Sequence, residues 1–135
     1  MIDVGLLVLR LVLGVIFVAH GAQKLFGSFS GPGLKGTAGF HKQLGIKPPY
    51  LMAVLAGLAE FIGGVLVAVG FLTPLAALAL IVVMIVAVLT VHLKNGFFNT
   101  NGGYEFNLAL AGMALTLLIV GAGAYSLDST LGIFW

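Results

Sequence analysis

The sequence predicts an all-α, polytopic membrane protein, an antiparallel bundle of four transmembrane helices with a short amphipathic helix in its first loop. Three observations lead there. Hydrophobic residues make up 61% of the 135-residue chain and charged residues 7%, against about 25% charged in soluble domains. The apolar residues gather into runs at 4–26, 51–71, 75–93 and 106–123, each near the ~20 residues that cross a hydrocarbon core of ~30 Å. Gly, Pro and Asn cluster between the runs, as turns require. The length suits a single membrane domain over 1–135. No cysteine is present, so disulfides, thiol chemistry and thiolate metal sites are excluded within the chain. A net charge of +2 is too small to point to nucleic acid.

The first run reads as a retained helix rather than a secretory signal, because Asp3 stands where basic residues belong and Arg10 interrupts the apolar stretch. Within it, residues 10–24 (RLVLGVIFVAHGAQK) carry Arg10, His20, Gln23 and Lys24. Arg or Lys near a bilayer centre costs roughly 2.5–3.5 kcal/mol on insertion scales. At about 100° per residue, Arg10, Gly14, Phe17, His20, Gly21 and Lys24 fall within roughly 120° of one another. That face must look at protein or at a water-filled cavity.

The loop that follows opens with GSFSGPG and then offers helical spacing over 34–44, with Leu34, Ala38 and His41 on one side. A short helix there would lie at the interface or cap the bundle. Pro48 and Pro49 end it and start the second span. In that span Glu60 lies near the midplane, and Ala53, Gly57, Glu60 and Gly64 share a face of small residues suited to close helix contact. Gly70 closes the span. Thr73 and Pro74 read as N-cap and first residue of the third, and so short a turn makes spans two and three antiparallel neighbours. The third span ends with Thr90, His92 and Lys94, followed by an irregular Asn/Gly-rich loop. The fourth presents Glu105, Ala109, Gly112 and Thr116 at spacings of 4, 3 and 4. Beyond it, Tyr125, Trp135 and the stretch YSLDST suit an interfacial tail.

An even number of spans puts both termini on one side. The other side holds Lys24, Lys35, Lys42, Lys47 and Lys94, so the polar loops are expected in the cytoplasm and both termini outside, in a bacterial inner membrane. At 1.5 Å per residue Arg10 lies about 7 Å from the level of Glu60. An Arg10–Glu60 ion pair is therefore the expected structural neutralisation. His20, Lys24, His92 and Glu105 converge toward the loop side and, with Glu60, form the candidate cofactor-binding set. The bland reading of each is packing, snorkelling or capping. Two histidines on different helices suggest a b-type haem, but His20 and His92 differ in depth by roughly 6–8 Å, poor for one iron. A metal on His20, His92 and a glutamate fits loosely. A quinone pocket needs a hydrogen-bonding His or Lys, a carboxylate and apolar walls, and the composition permits one. No P-loop, dinucleotide fingerprint or nucleophile elbow is present.

The segments LRLVLGVIFVAHGAQKLFG (9–27), GPGLKGTAGF (31–40), LAGLAEFIGGVLVAVGFLTPLAAL (55–78), HLKNGFF (92–98) and GAGAYSLD (121–128) together resemble the DoxX family of small bacterial membrane proteins. The resemblance implies a four-helix membrane bundle and a loose link to redox chemistry. Members resemble subunits of a thiosulfate:quinone oxidoreductase, and others associate with oxidative-stress and thiol-handling complexes. Most have no established activity, and the family has no agreed catalytic motif, so no catalytic role transfers. Arg10, His20, Lys24, Glu60 and His92 are the family-like residues. With no cysteine here, any sulfur relay would use a partner's residues. The leading expectation is an auxiliary, quinone-interacting subunit of a membrane oxidoreductase system, in which Lys24 or His20 donates to a carbonyl and Glu60 or Glu105 exchanges a proton. The alternatives are a structural subunit packing in a larger complex or on itself, and a proton or small-molecule permease with Arg10–Glu60 as its gate. Whether the chain is itself an enzyme is left open.

Overall fold

The structure is a computed structural model that describes residues 1–134; Trp135, expected in the interfacial tail, lies outside the described residues. Its helices are α1 (Ile2–Phe26), α2 (Gly33–Gln43), α3 (Pro49–Val69), α4 (Thr73–Ala87), α5 (Glu105–Val120) and α6 (Leu127–Leu131). No strand occurs among the described residues. A π turn, Val88–His92, and a 3-10 turn, Leu93–Asn95, prolong α4 into a helical stretch of 23 residues. That stretch, α1 and α3 are each long and apolar enough to cross a membrane.

The fourth span is shorter than expected. Helix α5 has 16 residues, about 24 Å at 1.5 Å per residue. It stops because Gly121 (φ 89°) leaves helical geometry, a conformation open to glycine without penalty. Its buried face also differs from expectation. Asn107, Leu110, Ala114 and Leu117 point into the bundle, while Ala109, Gly112 and Thr116 are exposed. The buried stripe has spacings of 3, 4 and 3 against 4, 3 and 4 for the outward one, so both fit helical periodicity, and the bulkier one fills the core.

Small residues set the closest helix contact. A Cβ on Gly14 would lie 2.7 Å from both the Ala68 Cβ and the Gly64 carbonyl oxygen, and one on Gly21 would lie 2.5 Å from the Phe61 nitrogen. Helices α1 and α3 therefore touch backbone to backbone, as small residues on both faces allow. Helices α4 and α5 pack through Ala76, Ala77, Leu80, Met84, Leu110, Ala114 and Leu117. Leu13, Phe17 and Val67 bring the two pairs together in one buried cluster. Helix α2 lies across the loop-side end, against α3 and α1, with Thr37 buried and its hydroxyl donating to the Lys24 carbonyl at 3.4 Å.

The C-terminal stretch is anchored rather than a loose interfacial tail. Ser126 caps α6 by accepting from the Ser129 amide at 3.1 Å. Asp128, 2% exposed, accepts from the Leu72 amide at 2.7 Å and the Thr73 amide at 2.9 Å. It thereby does for α4 what Thr73 was expected to do. The Thr73 hydroxyl itself has no partner among the described residues. The reason lies in Leu72, which is left-handed (φ 51°). A non-glycine residue there costs on the order of 1–3 kcal/mol, and the carboxylate from α6 holds the turn in place with charge-assisted hydrogen bonds.

Candidate functional site

The predicted polar face of α1 is real, but its partners are not all those expected. Antiparallel packing sets Gly14 against Gly64 and Ala68, and brings the Arg10 guanidinium to the Ala68 carbonyl at 3.4 Å. At that register Glu60 lies eight residues beyond Ala68, roughly 12 Å along the axis. The expected Arg10–Glu60 ion pair is therefore not formed. Arg10, fully buried, donates instead to the carbonyls of Ala68 and Tyr125, with Asp128 as its electrostatic counterpart. It belongs to the terminal-side cluster that ties α6 to the α3–α4 turn.

Glu60 pairs with Lys24. Lys24 Nζ lies 2.5 Å from Glu60 Oε1, with the lysine side chain 29% exposed and the glutamate 2%. This is the only ion pair within 4 Å among the described residues. The second carboxylate oxygen, Glu60 Oε2, is buried without a hydrogen-bond partner. An ammonium has three donors, and one points at Oε1, so Lys24 keeps capacity for a further acceptor.

The pair sits in the wall of a cavity of about 1180 Å³. The cavity lies between α1 and α3 on one side and α4 and α5 on the other, with α2 across one end. Of the expected site residues, His20, Lys24, Glu60 and His92 line it. Glu105 is not among the lining residues. It opens α5, its amide held by the Phe97 carbonyl at 2.9 Å, and it begins the outward stripe of that helix. The neighbouring Phe106 and Asn107 reach the cavity instead. Phe106 stands 6.0 Å, centroid to centroid, from the His20 ring.

His92 owes its place to the π turn. Thr90 donates through its hydroxyl to the Val86 carbonyl at 2.7 Å, a side-chain bond of the kind that loosens a helical ladder, and π turns often occur where a helix must re-aim a side chain at a site. His92 Nδ1 lies 2.8 Å from the Gly102 carbonyl oxygen. A carbonyl only accepts, so Nδ1 bears the hydrogen, and in the neutral ring Nε2 is the acceptor. Two wall residues lie outside the candidate binding set: His41, which the sequence reading did not place here, and Asn107, which it put at this end of the bundle. His41 reaches the cavity from α2, and Asn107 from α5, where its amide donates to Met84 Sδ at 3.5 Å. Burial and the positive charge of Lys24 lower the His41 pKa, against a smaller opposing effect of the Pro49 backbone. The helical phase of His41 was legible, and of the two places expected for its helix the structure has the one that caps the bundle. Among the described residues no group of three or more His, Asp or Glu comes close enough together to hold a metal ion.

Comparisons with known proteins give the fold its lineage. The chain is 33% identical over 126 residues to "Putative oxidoreductase CatD" of Bacillus subtilis (strain 168), covering 93% of this chain and 86% of that one. It is 32% identical over 133 residues to the inner membrane protein YqjF of Escherichia coli (strain K12), covering 98% and 96%. It is also 32% identical over 128 residues to the inner membrane protein YphA of the same organism, covering 91% and 87%. No solved structure matches the chain. The DoxX family profile matches residues 5–93, a stretch that includes Arg10, Lys24, Glu60 and His92, and the chain is a membrane protein of the DoxX family.

Proposed function

We propose that this protein is an auxiliary subunit of a membrane oxidoreductase system and binds a quinone or quinol head group at the Lys24–Glu60 pair. The observation that carries the reading is Glu60, a residue in the wall of a largely apolar cavity whose carboxylate oxygen Oε2 is buried without a partner. An unpaired acceptor in such a place is costly, and a ligand hydroxyl would satisfy it. Lys24, with donors to spare, suits the oxygen of that quinol hydroxyl or, in the oxidised ring, the quinone carbonyl, and His20 is a second donor. His92 Nε2 offers another acceptor for a hydroxyl. Apolar walls with a few polar atoms at one end are what small hydrophobic ligands select. Glu105, the first residue of α5, stays in the scheme only as a proton-exchanging group outside the cavity wall.

The link to oxidoreduction is supported by the printed name of CatD, a relative at 33% identity. The chain has no cysteine, so any thiol step in such a system belongs to another subunit, and the reading includes a protein partner or a second copy. The lysines of the two polar loops support placing those loops in the cytoplasm of a bacterium and both termini outside. The unit we propose is the whole chain, 1–135, acting as one membrane domain.

The test is purification in mild detergent, mass spectrometry of the extracted lipids and a binding titration with a benzoquinol. Co-purifying quinone, with saturable quinol binding that Glu60→Gln weakens about tenfold or more, is the expected result. Neither quinone in the extract nor saturable binding overturns the reading.

A further inference from the structure

The cavity is a long slot with its polarity at one end. Its wall runs along α4 from Leu75 to His92, 17 residues or roughly 25 Å of helix. The lining groups that can hydrogen-bond through their side chains, Lys24, Glu60, His92, Thr37, Asn99 and Asn107 among them, sit toward the polar loops. From Leu75 to Val83 the α4 wall is Leu, Ala and Val alone.

The apolar length is open sideways. Leu75, Leu78, Val82 and Val86 line the slot while being 57%, 47%, 52% and 49% exposed, as does Leu55 on α3 at 50%. On α4 these residues recur at spacings of 3, 4 and 4, one stripe of the helix. A residue that both lines a cavity and faces outward marks an opening, and in a membrane-spanning helix that opening gives onto lipid. The α3–α4 turn joins the two helices at the terminal side. At the loop-side end Pro32, Gly36, Thr37, Phe40, His41 and Leu44, from α2 and its N-cap, line the same cavity.

From this geometry we infer that the occupant is a tailed lipid, a hydroxyl-bearing ring on a long apolar chain, which reaches the site from within the bilayer between α3 and α4. The inference rests on the proposed head-group site for the ring; the chain is read from the slot. A volume of about 1180 Å³ exceeds the roughly 300–1,000 Å³ typical of small-molecule sites, leaving room for a chain behind the head. Lipid tails are as apolar as the slot wall, so the chain adds little affinity. It fixes orientation, head toward Glu60 and tail toward Leu75, while selection falls to the polar end.

The experiment is photolabelling of the wild-type protein in lipid vesicles with a benzoquinol whose decyl chain ends in a diazirine, followed by peptide mass spectrometry. Chainless benzoquinol binding is measured in parallel. The expected result is adducts on Leu75, Leu78 and Val82 at least about tenfold above those on Val8 and Leu11, the lipid-facing side of α1, displaced by excess unlabelled decylbenzoquinol. Glu60→Gln should lower the slot adducts and leave those on Val8 and Leu11 unchanged. Adducts spread evenly over lipid-facing positions, with chainless quinol still binding in a Glu60-dependent way, overturn the lateral slot and spare the head-group site. Saturable binding of neither quinol overturns both.

Discussion

Replacing Lys24 by methionine keeps the length and apolar stem of the side chain and removes only the charge that faces Glu60. The two partners are buried unequally, 29% and 2% exposed, so the two ways of breaking the pair should cost different amounts. Lys24→Met leaves a carboxylate in an apolar wall with neither oxygen partnered; breaking a buried pair from one side typically costs about 3–5 kcal/mol. Glu60→Gln leaves a lysine that can extend toward water, and its cost should be about 1 kcal/mol, the scale of a partly exposed pair. The double variant carries a neutral amide in the same wall, with a desolvation cost of about 1–3 kcal/mol, and should be more stable than Lys24→Met alone. The order of stability is wild type, Glu60→Gln, double variant, Lys24→Met, read from unfolding in mixed detergent micelles. If the double variant is as unstable as the sum of the single changes, the pair is not coupled and the reasoning from unequal burial fails.

Other outcomes follow from the same contacts. Gly21→Ala places a methyl 2.5 Å from the Phe61 nitrogen, where backbone must move, and should destabilise by about 1–3 kcal/mol; Gly39→Ala, with open space at its Cβ, is the control in the same unfolding assay. Asp128→Ala removes the acceptor of the Leu72 and Thr73 amides and the counter-charge of Arg10, and should cost about 1.5–3 kcal/mol per lost charged hydrogen bond, with amide exchange rising at Leu72 and Thr73. The His41 pKa is lowered in the folded protein by burial and by Lys24, so the unfolded chain binds the proton more readily. Its stabilising contribution is therefore complete above its ordinary pKa of about 6.5 and is lost as pH falls through the lower folded value. The protection factors of α2 amides, that is, exchange relative to the intrinsic rate at the same pH, should fall on acidification below pH ~6.5, and His41→Gln should abolish that response.

The membrane class, the helix order and the polar face of α1 were legible because hydropathy and 3.6-residue periodicity are local properties. Gly70 as a helix end and Pro49 as a helix start were legible for the same reason. What failed was pairing between elements. Arg10 was matched to Glu60 by depth from the bilayer centre, but depth along separate helices carries no register. The Gly14–Gly64 contact sets the register and hands Glu60 to Lys24. Glu105 was placed with the site because spacings of 4, 3 and 4 fit a buried stripe, yet the Asn107–Leu110–Ala114–Leu117 stripe has nearly the same period and more bulk to bury. His41 was assigned to a helix that would lie at the interface or cap the bundle, and nothing local decides between the two; the structure puts it over the cavity.

The residue types alone thus determined a helical bundle in lipid, in which several charged or polar side chains had to be turned inward, because hydrocarbon offers them no partner. Which of them meet was decided by tertiary structure. Backbone contact at glycines sets how helices slide past one another, and a slide of a few residues exchanges one ion pair for another. The same packing made Asp128, read as part of a surface tail, the cap of α4 and the counterpart of Arg10. It also left Glu60 Oε2 buried and unpaired, and the proposed ligand site rests on that atom.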